Sequence, residues 1–187
     1  LAEQHVREFV RSAVRSGLLG ERDLRDEVLL AITTELPGVQ SPESLADQWV
    51  GEFREELRAD AEQWPDQTDY HHLQLAFATL EAGGLVVLQG CEDHWSAKAV
   101  LDERRQDPPR GIAWFTPPDV WHAIDEGMLE VNVWHPTTAN VAPGDSLLEE
   151  VVAAFTEQGL PAHFDEGRVE VTAWWQRPPS WSDDVAG

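Results

Sequence analysis

Between residues 128 and 134 apolar and polar side chains alternate, Leu129, Val131 and Val133 to one side and Glu130, Asn132 and Trp134 to the other. A period of two marks a strand with one face on a core. Far upstream the period differs. Val6, Phe9, Val10, Ala13 and Val14 recur at helical spacing within residues 1–18, while Arg7, Arg11 and Arg15, four apart, share another face. Leu24, Val28, Leu29 and Ile32 predict a second helix that stops at Pro37-Gly38. Ser41 as N-cap with Pro42 at the first helical position opens a third, whose stripe is Leu45, Trp49, Val50, Phe53 and Leu57. Trp64-Pro65 ends it.

From Thr68 a fourth helix carries Leu73, Ala76, Phe77 and Leu80 and stops at Gly83-Gly84. A strand over 85–89, a turn at Gly90 and a helix over 93–105 lead past Pro108-Pro109 to a strand at 111–115. Thr116-Pro117-Pro118-Asp119 starts a helix that Gly127 closes before the alternating strand. A loop over 135–144 precedes a helix over 145–158 with the stripe Leu148, Val151, Val152 and Phe155. Segments 160–164 and 168–176 flank Asp165-Glu166-Gly167, which predicts a hairpin with a three-residue loop. Only about eleven residues separate the second and third strands, near the minimum for a helical crossover, so a mixed sheet is expected over a parallel one. The prediction is an α+β fold: a mixed, roughly five-stranded sheet with packed helices over 67–178, preceded by a helical segment over 1–66 and followed by a tail over 179–187.

Charge narrows the partners. Thirty-five acidic against thirteen basic residues give a formal charge of -22, a field that repels phosphate backbones and anionic membranes, steers a basic protein inwards and favours solubility. No nucleic acid and no membrane is expected as a partner. No apolar run approaches the roughly 20 residues of a membrane-spanning helix, which together with a single cysteine leads to the expectation of a cytoplasmic protein. Lysine occurs once, at Lys98, with arginine supplying the other basic residues, a bias that fits a bacterial source.

Cys91, Glu92, Asp93 and His94 concentrate the local chemistry. Cys91 and His94 would supply two ligands to a zinc ion, but a structural site needs four protein ligands and a catalytic one three. Nothing in the spacing selects the rest from His71, His72, His122 and His135, so no metal or cofactor is assigned. A nucleophilic Cys91 would gain from the strand-to-helix position and lose from its two acidic neighbours. The plainer reading is a turn at Gly90 and a helix capped by Asp93 or Ser96, favoured here over both. Should a ligand site exist at this turn, Asp93 and His94 are better candidates than Cys91.

Nine tryptophans supply a second kind of candidate. Trp134 shares its strand face with Glu130, and Trp174 points away from the Val169, Val171, Ala173 and Trp175 face. If the two strands adjoin, Trp134 and Trp174 line an aromatic, acid-rimmed surface suited to a protein, a peptide or a cation, unless the helical segment or the tail with Trp181 covers it.

The stretch Trp64-Pro65-Asp66-Gln67-Thr68-Asp69-Tyr70-His71-His72-Leu73, followed by Ala76-Phe77, Leu80, Gly84-Leu85-Val86 and Arg110-Gly111-Ile112-Ala113-Trp114-Phe115, resembles a family of bacterial proteins known only as a domain of unknown function. The likeness runs from Trp64 to Pro178 and is weaker in the N-terminal helices. Members of that family often carry several cysteines and a Cys-Gly-His element after the strand that here ends at Gln89. This chain has Cys91, Asp93, His94 and Ala97 there instead. The resemblance implies grouping rather than mechanism, and it transfers no functional residue.

The reading is therefore a non-enzymatic protein-interaction module for a basic partner, with toxin-neutralising immunity or inhibitor proteins as one type of suitable size and charge. The alternative is an enzyme or ligand-binding domain, possibly metal-dependent, with a pocket at the end of the 85–89 strand.

Overall fold

The computed structural model describes residues 1–180 and groups them into two units, Leu1–Asp66 with residues 176–180, and Gln67–Trp175. The first is built from α1 (Ala2–Ser16), α2 (Glu21–Glu35) and α3 (Pro42–Ala61). Their stripes meet in one cluster, with Val6, Val10 and Val14 of α1, Val28 and Ile32 of α2, and Trp49, Phe53 and Leu57 of α3 buried together. The arginine row of α1 faces α3 rather than water alone. Arg7 pairs with Glu52, Arg11 with Glu56 at 3.1 Å, and Arg15 with Glu56 at 2.7 Å and with Asp60. Both rows step by four residues, so cations and carboxylates mesh along the two helices. The Arg7 guanidinium also lies 5.3 and 5.2 Å from the ring centroids of Trp49 and Phe53.

Gly17 closes α1 with φ 60, a left-handed conformation that glycine adopts without strain. Its carbonyl accepts a 2.6 Å hydrogen bond from Arg177 Nη1. That contact places residues 176–178 with the helices, whereas the sequence reading ran the α+β domain to 178.

The second unit contains α4 (Asp69–Ala82), β1 (Leu85–Gln89), α5 (His94–Glu103), β2 (Gly111–Phe115), α6 (Pro117–Asp125), β3 (Met128–Trp134), α7 (Ser146–Thr156), β4 (Ala162–Asp165) and β5 (Arg168–Thr172). The strands form one mixed sheet in the order β1-β2-β3-β5-β4, with β1 and β2 parallel and every other pair antiparallel. This is the α+β fold expected. The parallel pair is joined through α5. The shorter link through α6, near the minimum for a parallel crossover, returns the chain antiparallel.

Two details depart from the sequence reading. Asp165 pairs with Arg168, so the hairpin loop has two residues, Glu166 at φ 43 and Gly167 at φ 91, the sign pattern of a type I′ turn. The final strand ends at Thr172 rather than near Gln176: Ala173 N–H still donates to the Gly127 carbonyl at 2.9 Å, but the amides after it leave the ladder, Trp174 N–H donating to Asp69 Oδ2 at 3.0 Å and Trp175 N–H to the Ala123 carbonyl at 3.0 Å.

Register sorts the strand residues onto two faces. Ala113 and Phe115, Leu129, Val131 and Val133, and Val169 and Val171 share one, covered by α4 and α7. Phe77 of α4 anchors that core, its ring 5.6 Å from Phe115 and 5.7 Å from Phe155 of α7. The other face divides. Ile112 and Trp114 lie under Ala97 and Leu101 of α5, with Val86, Leu88 and Trp134 packed alongside, while the part made by β3, β5 and β4 carries polar side chains.

Candidate functional site

Two places in the sheet unit gather chemically active groups. The first is the turn after β1. Gly90 adopts φ 72, Cys91 N–H donates to the Phe115 carbonyl at 3.0 Å, and Asp93 becomes the N-cap of α5 by accepting the Ser96 N–H at 2.9 Å. The Ser96 N–H first, and its hydroxyl further, hold the Asp93 carboxyl below its ordinary range. Burial pushes the Cys91 thiol up to about 11, with the charges of Asp93 and Asp119 adding to it. A thiol raised in this way favours its protonated form, which gives the nucleophile reading no support.

His94 and Trp95 occupy the first turn of α5, ring centroids 4.7 Å apart. Trp95 is 63% exposed, the most exposed tryptophan described. Sequence reasoning passed over it, yet a signal was present. At 100° per residue Trp95 stands about 200° from Ala97, the start of the buried stripe, so it must point outwards.

The second place is the polar half of the divided face. Glu130 of β3 and Glu170 of β5 are direct register partners, an arrangement that repels unless cations attend it. Arg168 supplies one: its Nη1 lies 2.8 Å from Glu130 Oε2, while two imidazoles stand nearby, His122 Nδ1 4.0 Å from the same oxygen and His163 Nε2 3.4 Å from Glu170. Asp119, 7% exposed, looks at Arg168 from α6 at 3.9 Å, but its other oxygen is occupied by the Thr116 N–H and hydroxyl, both at 2.7 Å. Across the loop after β3, His135 Nε2 sits 3.0 Å from Asp145 Oδ2. That bond first, and the Ala142 N–H next, lower the Asp145 pKa. His71 has a local task too, accepting the Thr68 N–H at 3.0 Å in the capping box of α4.

The predicted site residues are therefore distributed. Asp93 and His94 lie together beside Trp95. Glu130 belongs to the Arg168 network. Trp134 is half-buried, edge to face with Trp114 at 4.9 Å. Trp174 is 46% exposed with its ring over Gly127, where a Cβ would come within 2.6 Å of the indole. Met128 pairs with Thr172, so Trp174 belongs at the start of β3 and Trp134 at its end, about 20 Å away by the strand rise. Their strands do adjoin, but the structure does not bring the two tryptophans together. Trp181 lies outside the described residues. Among the described residues no group of three or more His, Cys, Asp or Glu side chains is arranged to hold a metal ion, so Cys91 and His94 gain no further ligands. No described helix is long and apolar enough to cross a membrane.

The sequence pattern of a family described as a domain of unknown function (DUF6891) matches residues 2–178. The chain belongs to that family. The match takes in both units: the N-terminal helices are as much part of DUF6891 as the sheet, although the likeness noted from sequence was concentrated after Trp64. No curated protein and no solved structure matches the chain.

Proposed function

We propose that this protein acts by binding another protein, and that the contact is centred on Trp95. The carrying observation is an indole 63% exposed on a helix of the sheet unit. Glu92 and Asp93 precede it in the turn, His94 lies against its ring, and the chain as a whole carries a charge of -22. An exposed indole among carboxylates suits an arginine- or lysine-bearing surface: the cation stacks on the ring while the carboxylates complement its charge. Tryptophan is also among the commonest energetic anchors of protein interfaces. A basic enzyme held inactive by such a surface is the inhibitor or immunity form of this reading. The raised thiol pKa of Cys91 gives the enzymatic alternative no support at the same turn.

The test is affinity capture from the source cell with the full chain as bait, followed by binding measurements on the partner so identified. Trp95→Ala is expected to weaken that partner at least tenfold, and raising the salt concentration to weaken the wild type further. A partner that binds Trp95→Ala and wild type alike, with no salt dependence, refutes the reading.

A further inference from the structure

The two edges of the five-stranded sheet are finished differently. β4, at one edge, is four residues long, follows Pro161 and carries the exposed His163 and Asp165. Shortness, proline and exposed charge are the usual means by which an edge is kept from pairing with another chain. β1, at the other edge, has none of them: its five residues, Leu85-Val86-Val87-Leu88-Gln89, include no charge and no proline, and their register with β2 runs without a bulge.

Successive residues of a strand direct their N–H and C=O groups to alternate sides, so a strand paired only to β2 turns about half of these groups outwards. Among the described residues nothing outside β2 bonds the main chain of residues 85–89. The Gln89 side chain forms a reciprocal amide pair with Gln74 of α4, both bonds 2.9 Å, and so does not cover that main chain either. Val86, Val87 and Leu88 are only half-buried, although α4 and α5 flank the strand. The strand also runs into an acidic end. Gly90 turns the chain after Gln89, Glu92 is exposed with no ion pair among the described residues, and Trp95 follows on the first turn of α5.

We infer that the partner's contacting segment is an extended strand that adds antiparallel to the edge of β1 and is led, at its N-terminal end, by arginine or lysine. Antiparallel ladders are the more stable per residue, and this direction places the first residues of the segment beside Gln89, where a cation meets Glu92 and the Trp95 indole. Main-chain bonds to β1 supply affinity, and the cation fixes the direction. The inference rests on the Trp95 reading for the position of that cation.

The test is calorimetric titration of the full chain with a capped peptide of alternating valine and threonine, as long as β1 and headed by two arginines. It is expected to bind about tenfold more tightly than the same peptide headed by two glutamates. N-methylation of alternate peptide amides separates strand addition from looser contact. One set faces β1, and its methylation is expected to weaken binding about tenfold or more, while the other set faces solvent and its methylation changes little. Glu92→Arg is expected to weaken the arginine-headed peptide about tenfold, and His163→Arg, at the opposite edge, to leave it unchanged. Both positions are exposed, so neither substitution disturbs packing. No binding below about 1 mM, equal affinity for the glutamate-headed peptide, indifference to both methylated sets, or sensitivity to His163→Arg in place of Glu92→Arg would overturn the inference. Trp95→Ala distinguishes the two proposals. Binding that depends on Trp95 but on neither methylated set keeps the Trp95 reading and overturns strand addition, whereas binding that depends on one set and not on Trp95 supports strand addition and refutes the Trp95 reading.

Discussion

The helical unit and the sheet unit place their charges in opposite ways. In the helical unit ion pairs belong to the packing: a row of arginines on α1 meshes with a row of carboxylates on α3, and the last of them, Arg15, is nearly as buried as the valines beside it. In the sheet unit every strand residue under α4 and α7 is uncharged, while Glu130, Arg168, Glu170 and His163 stand on the polar half of the other face. Charge in the first unit specifies how two helices align. Charge in the second is arranged the other way round: the carboxylates Glu130 and Glu170 are 21% and 26% exposed against 45% for Arg168, whereas in the first Glu56 and Asp60 are 41% and 48% exposed against 10% for Arg15.

The comparison can be broken most forcefully at the sheet core. Phe77→Ala removes a fully buried ring that contacts Phe115 and Phe155 and is expected to cost about 3–5 kcal/mol, with little dependence on salt, in denaturant unfolding. Arg15→Met, which keeps the apolar stem and removes the charge, is expected to cost about 1–2 kcal/mol, since its partners Glu56 and Asp60 remain 41% and 48% exposed and water compensates part of the loss. Here the cost should shrink in high salt, the behaviour that separates the two units.

The same seam has a pH signature. Burial acts to raise the Glu56 pKa, but hydrogen bonds from Arg15 and Arg11 outweigh it and leave the carboxyl below the ordinary 4.5. A depressed folded-state pKa contributes stability that is present above pH 4.5 and is lost as the pH falls through the folded value. Acid titration followed by circular dichroism should show that loss in the wild type and a shallower one in Arg15→Met. At the turn after β1, Asp93→Ala is expected to lower the midpoint of denaturant unfolding modestly, less than Arg15→Met does, through the lost α5 cap. The smallest effect belongs to Trp95→Ala, within about 0.5 kcal/mol in thermal or denaturant unfolding, because its side chain is largely outside the packing. A larger cost would mean that Trp95 belongs to the core of α5 and not to a binding surface.

Much of the fold was legible in the chain. Ser41-Pro42, Thr68, Thr116-Pro117 and Gly83-Gly84 mark helix ends through interactions within a few residues, and the alternation over 128–134 marks a strand by itself. The short link between the second and third strands was enough to favour a mixed sheet over an all-parallel one. The candidate site was legible only in pieces. Asp93 as a cap is a local matter and could be read. The failure of Trp134 and Trp174 to meet depends on which ends of β3 and β5 lie side by side, and register between strands 40 residues apart has no local signature. The missed Trp95 is different, since the helical wheel of α5 already excludes it from the buried stripe.

What the sequence determined alone is the set of elements, their α+β class and an acidic surface, because periodicity, caps and net charge are properties of neighbouring residues or of the whole composition. Tertiary structure decided which carboxylates face Arg7, Arg11 and Arg15, which tryptophan stays in water, and that β1 lies at an edge of the sheet. Those outcomes depend on packing between distant segments, where the hydrophobic effect chooses the partners and polar groups must accept the neighbours that burial brings.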